Sequence, residues 1–155
     1  MKILLVVESK HQNNTLKVAR SMQKAADMEI IDTKQAANID FHQYDIVGFG
    51  SGIYMGKHDK SILRLAKSLD DEKGYSFIVS TSGGKSFSQN NSALREILFN
   101  KNKVVLGEFS CLGLDKFFLL RLTGGVNKGK PDEKDLLDAQ NFIRQIIADY
   151  DNRLN

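Results

Sequence analysis

Ile3-Leu4-Leu5-Val6-Val7 is an unbroken aliphatic run. A strand with one wet face alternates apolar and polar residues; a run apolar at every position is a strand buried on both faces, as inside a parallel sheet. Parallel strands require long crossovers, and helices supply them. The rest of the chain keeps that rhythm. From Asn14 to Ala26, Leu16, Ala19, Met22 and Ala26 recur at helical spacing, leaving Lys17, Arg20 and Lys24 for the opposite face. Met28 to Ile31 reads as a second strand and Asp45 to Gly50 as a third. Lys57 to Leu69 reads as a helix striped by Ile62, Leu65, Ala66 and Leu69, followed by a strand over Tyr75 to Ser80. Ser88 to Phe99 gives another helix and Lys103 to Phe109 a fifth strand. Asp132 to Tyr150 forms the last helix, with Pro131 at its first position and Asp132 and Glu133 complementing the dipole. The expectation is a doubly wound α/β sandwich: a five-stranded parallel sheet with helices on both faces, residues 1–155 making a single domain.

Composition narrows the function. The formal charge of +3 over 155 residues is small and dispersed, which argues against a nucleic-acid binder with a clustered basic face. Cys111 is the one cysteine, so no intrachain disulfide forms, and the expected compartment is the reducing cytoplasm. The first apolar run is too short to span a bilayer or to serve as a signal peptide, so no membrane insertion is expected. His11, His42 and His58 lack the spacing of metal ligands, and no metal is expected.

Ligands of open α/β sheets bind outside the carboxyl ends of the strands, where the winding direction reverses. Three loops therefore matter. Ser9-Lys10-His11-Gln12-Asn13-Asn14-Thr15 joins the first strand to the first helix, where unpaired N–H groups and hydroxyls can cradle a phosphate. Asn13, Asn14 and Thr15 suit a plain turn and N-cap equally well. Neither G-x-x-x-x-G-K-[ST] nor G-x-G-x-x-G is present here. Gly50-Ser51-Gly52-Ile53-Tyr54-Met55-Gly56-Lys57 leaves the third strand, its glycines allowing close approach to a flat ligand and Tyr54 and Met55 offering surfaces to cover one; loop-tip packing is the alternative. Thr81-Ser82-Gly83-Gly84-Lys85-Ser86-Phe87 repeats the pattern, small residues and then an aromatic.

These three loops, with Gly48-Phe49-Gly50, Gly107-Glu108-Phe109-Ser110-Cys111 and Gly124-Gly125-Val126-Asn127-Lys128-Gly129, resemble the flavodoxin family over most of the chain. The chain is similar to small stand-alone bacterial proteins carrying a flavodoxin domain. The resemblance implies the flavodoxin-like strand order 2-1-3-4-5 and bound FMN; both order and ligand placement are taken over from flavodoxin itself. It implies a phosphate site at Ser9, Asn13, Asn14 and Thr15, joined by His11 and Gln12. It also implies a ring site formed by Ser51, Gly52, Ile53, Tyr54, Met55 and Gly56 on one loop and by Thr81, Ser82, Gly83, Gly84 and Phe87 on the other. No catalytic acid or base is implied, because family members transport electrons between a reductase and an acceptor protein. The alternative within the fold is an FMN-dependent reductase or dehydrogenase acting on a quinone or porphyrinogen-like substrate, with Leu112 to Lys130 as its substrate loop. A third reading keeps the fold without FMN.

Three features depart from the family pattern. Gln12-Asn13 stands where a glycine is usual, which requires Asn13 to take a left-handed conformation or the loop to differ locally. The chain has no Trp, leaving Tyr54, Met55 and Phe87 as stacking candidates. The pI of 8.9 is unlike an acidic shuttle, and Lys10, Lys57 and Lys85 fall on the three loops, where positive charge favours a more negative flavin. Cys111 reads as a small buried hydrophobe.

Overall fold

The computed structural model describes residues 1–10, 12–114 and 125–154. Six strands are found among these residues: β1 (Ile3–Glu8), β2 (Glu29–Ile31), β3 (Ile46–Tyr54), β4 (Lys57–His58), β5 (Gly74–Ser82) and β6 (Lys103–Leu112). Five of them form one parallel sheet in the order β2-β1-β3-β5-β6, and β4 folds back antiparallel on the end of β3. With that hairpin strand set aside, the order is the expected 2-1-3-4-5. The helices are α1 (Asn14–Gln23), the one-turn α2 (Thr33–Ala36), α3 (Lys60–Ser68), α4 (Phe87–Asn100) and α5 (Glu133–Leu154). Among the described residues, no helix is long and apolar enough to cross a membrane.

The continuous apolar run behaves as a doubly buried strand must. Leu5 and Val7 face one layer, packing with Val18, Ala19 and Met22 of α1 and Ile143 and Ile146 of α5. Leu4 and Val6 face the other, with Ile62 and Ala66 of α3 and Leu94 and Leu98 of α4. Gly48 is demanded by packing: a Cβ there would lie 2.3 Å from Phe77 Cζ, so the ring occupies the space the glycine leaves.

Several boundaries differ from the sequence expectation. α1 stops at Gln23 rather than Ala26, because Lys24 and Ala25 donate their N–H groups in a tightened last turn to Ser21 O and Met22 O. Lys57 and His58 belong to a strand, not to α3, whose true start is marked by Asp59 capping the Ser61 N–H at 2.9 Å. Pro131 precedes the last helix instead of opening it. Asp132 and Asp135 there form a reciprocal cap, each carboxylate accepting the other's backbone N–H at 3.0 Å.

Candidate functional site

Parallel register brings the carboxyl ends of β1, β3, β5 and β6 to one edge of the sheet. All three loops singled out in the sequence emerge there.

The first is built around an uncapped helix. Asn13, the N-cap of α1, is left-handed (φ 53°, ψ 28°) and its side chain takes none of the first-turn N–H groups. The left-handed alternative for the missing glycine is therefore the one adopted, and Gln12 shares it at φ 56°. Asp32 and Asp59, by contrast, cap α2 and α3 with their carboxylates. Beneath the open end, Asn14 and Thr15 are buried. Asn14 Nδ2 donates to Leu114 O at 2.9 Å, which fixes the amide orientation and leaves Asn14 Oδ1 as a buried acceptor with no partner among the described residues. Thr15 Oγ1 meets Thr81 Oγ1 at 2.8 Å, tying this loop to the one after β5. Ser9 Oγ accepts the Leu16 N–H at 3.4 Å. Gln12 is exposed, and His11 lies outside the described residues.

The second loop is a hairpin rather than an open loop. β3 continues through Tyr54, Met55 (φ 51°) and Gly56 (φ 76°) form the turn, and Lys57 pairs back on Tyr54. Met55 is fully exposed, so it stands away from the sheet edge. The room above Gly52 is filled by Tyr54 itself: a Cβ on Gly52 would lie 2.9 Å from the tyrosine hydroxyl. Lys10 N–H donates to that hydroxyl, so Tyr54 spans from the hairpin to the first loop. Burial, then the nearby Asp59 charge, pushes its phenol above the ordinary value. Ser51 is buried, Ile53 is half-buried and Gly56 is exposed.

In the third loop Thr81 and Ser82 are buried, Ser82 Oγ donating to Gly84 O at 2.6 Å. Gly83 and Gly84 are exposed, and Phe87 is half-buried as the first residue of α4. Asn127 Nδ2 donates to Gly83 O at 2.9 Å and Gly113 O at 3.2 Å, pinning this loop beside the end of β6. Of the expected substrate loop, residues 115–124 lie outside the described residues. Cys111 is buried in the core, and burial pushes its thiol up to about 12.

A buried polar layer that the sequence reading missed lies under the hairpin. Ser51, Ser80 and Ser110 are register partners across β3, β5 and β6. His58 Nδ1 sits 2.8 Å from Ser51 Oγ, whose proton it shares with Gly52 O, and His58 Nε2 sits 3.0 Å from Asn91 Oδ1. Asn91 Nδ2 is committed to Glu108 Oε2 and Ser110 Oγ, so its Oδ1 must accept and His58 carries its proton on Nε2. Arg95 closes the chain with two hydrogen bonds to the Glu108 carboxylate. Burial lowers His58 to about 4, so the ring is neutral. A serine near the carboxyl end of each of three strands was the available signal, but their alignment appears only with the register.

Lys10 is not a free charge: its Nζ lies 2.8 Å from Asp59 Oδ2. Burial works against the Asp59 anion, but hydrogen bonds from Lys10 and Ser61 outweigh it and hold the carboxyl below its ordinary range.

A family model described as flavodoxin domain matches residues 4–108. An uncharacterized protein of Methanocaldococcus jannaschii is 35% identical over 148 residues, covering 95% of this chain and 99% of the relative. Among solved structures, oxidised Flavodoxin 2 from Bacillus cereus superposes with a TM-score of 0.68 at 13% identity, over 96% of this chain and 99% of that one. A flavoprotein in complex with FMN from Lactobacillus acidophilus gives 0.59 at 18% identity, over 70% and 92%. With a matching family model across most of its sheet and the strand order to go with it, this chain belongs to the flavodoxin domain family.

Proposed function

We propose that the chain is an FMN-binding electron carrier, passing electrons between a reductase and an acceptor protein. The observation that carries this reading is the N-terminus of α1, where Asn13 takes none of the first-turn N–H groups and Ser9 Oγ takes that of Leu16, above the buried Asn14 Oδ1, which has no partner among the described residues. A helix start left without its cap is an anion seat, since its N–H groups and dipole favour negative charge. A buried acceptor without a donor costs on the order of 1–3 kcal/mol, a penalty that a hydroxyl-bearing ligand removes. A phosphate next to a polyhydroxyl chain meets both needs, and FMN has both. The Ser9 and Thr15 hydroxyls would hold the phosphate, and Asn14 Oδ1 would accept from the ribityl chain. Tyr54 and Phe87 would flank the ring, with backbone N–H groups of Thr81 to Gly84 at its polar edge.

Bound FMN supplies one- and two-electron redox chemistry, which the protein tunes by contacts and charge. This chain's own residues bind and orient it. Among the described residues around the three loops, the carboxylates nearest the sheet edge are already committed: Asp59 to Lys10 and Ser61, and Glu8 to Thr33 Oγ1 at 2.6 Å. Carboxylates engaged in this way hold the loops together and are not poised as an acid or base for a substrate, which supports the carrier reading.

The test is the visible spectrum of the purified protein before and after added FMN, followed by turnover with a quinone and no partner protein. Flavin bands without quinone turnover are expected. A colourless protein indifferent to FMN contradicts the cofactor, and partner-free turnover contradicts the carrier.

A further inference from the structure

We infer that the tip of the β3–β4 hairpin, Met55 with Lys57 and Lys85 beside it, is a docking face for an acidic redox protein. The inference rests on the electron-carrier reading above.

Met55 is the starting point. The residue is fully exposed, and its φ of 51° is a left-handed conformation that costs an unbranched non-glycine residue roughly 1 kcal/mol. The side chain buries nothing that offsets that cost within the chain, and a Cβ built on neighbouring Gly56 meets nothing within 4 Å. A strained residue presenting a soft apolar group to solvent is a contact in search of a surface. Nor is the tip a loose loop. Its base is held by the Ser51–His58–Asn91 hydrogen bonds, by the Asp59 N–H donating to Ser51 Oγ at 2.9 Å, and by the Lys10–Asp59 ion pair. Anchoring of that kind lowers the ordering cost of binding.

The exposed charge flanking the tip is basic. Lys57 follows the turn, and Lys85 lies on the loop of the neighbouring strand β5. Both lysines are exposed, and neither forms an ion pair among the described residues. The carboxylates beside the hairpin face inward: Asp59 is buried, and Glu8 is half-buried against Thr33 and Ser61. An apolar centre with a basic rim fits a partner with an acidic rim, and like charge disfavours a second copy of this chain, whose formal net charge is +3. The face stands at the strand ends that carry the proposed cofactor site, so a partner seated there is brought to the cofactor.

The full chain, labelled with ¹³C at its methionine methyls, is titrated with an oxidised plant-type [2Fe–2S] ferredoxin as the acidic probe and with cytochrome c as the basic control. Saturable perturbation of the Met55 methyl by the ferredoxin, weakening as salt rises, is expected. Lys57→Glu and Lys85→Glu should each weaken binding about fivefold or more. Met55→Asn keeps a residue suited to the turn and should weaken binding while the protein stays folded. An unmoved Met55 methyl, stronger perturbation by cytochrome c, or unchanged affinity in both lysine variants would overturn the docking face. So would tighter binding of a single-stranded oligonucleotide to it. FMN fluorescence is followed in the same samples: FMN binding without ferredoxin binding refutes the docking face alone, and docking without FMN binding refutes the cofactor reading alone.

Discussion

Ser51 on β3 and His58 on β4 meet at 2.8 Å across the base of the hairpin, and this buried pair fixes the wall of the candidate site. Because burial lowers His58 from its ordinary 6.5 to about 4, the folded chain binds fewer protons at this group than the unfolded chain between those values. Stability therefore rises with pH there. Its contribution is complete above about 6.5 and is lost as pH falls toward about 4, amounting to on the order of 3 kcal/mol. Asn91, Ser51, Glu108, Arg95 and the nearby Asp59–Lys10 pair face this group. Denaturant unfolding at stepped pH should show that slope in the native chain and a flatter one in His58→Gln.

The turn at Met55 predicts a stability gain from an ordinary turn residue. Met55→Asn should raise stability by about 0.5–1 kcal/mol, because Asn tolerates φ near 51°. Thermal unfolding reads it directly. Gly56→Ala at φ 76° should lower stability by a similar amount.

A strand glycine and a loop glycine should respond very differently to alanine. Gly48→Ala places a methyl 2.3 Å from the Phe77 ring, and overpacking in the core should cost about 2–3 kcal/mol. Gly84→Ala meets nothing within 4 Å and should fall within about 0.5 kcal/mol of the native chain. Paired urea titrations compare them.

Asn14→Leu removes both the donor to Leu114 O and the orphan acceptor. Its effect should divide: modest on folding, since one hydrogen bond is exchanged for apolar contact, and large on ligand affinity. A loss of FMN affinity of about tenfold is expected by fluorescence titration, with a near-unchanged unfolding midpoint.

Much of the architecture was legible because Leu4 and Leu5 cannot both face a core unless the strand is covered on two sides, and the helical stripes, such as Ile62 with Ala66, supplied the covers. The hairpin was not. Its turn is Met-Gly, without the Asn-Gly or Asp-Gly that marks such turns, and Lys57-His58 extended the period of the helix that follows. The layer joining Ser51, His58, Asn91 and Glu108 stayed hidden because its members are scattered along the chain and meet only through strand register and the packing of α4. At α1 the residues were legible but their use was not. Asn13 as an N-cap and Asn13 as part of an anion seat differ only in whether its side chain turns back onto the helix, and it does not.

The most direct test of the α1 seat compares FMN with riboflavin, which lacks the phosphate, in equilibrium titrations of the native chain and of Thr15→Val. FMN should bind about 100-fold more tightly than riboflavin to the native chain, as expected for charge-assisted hydrogen bonds at a helix start, and that advantage should shrink in the variant. Equal affinities for the two, or no binding of either, would contradict the account.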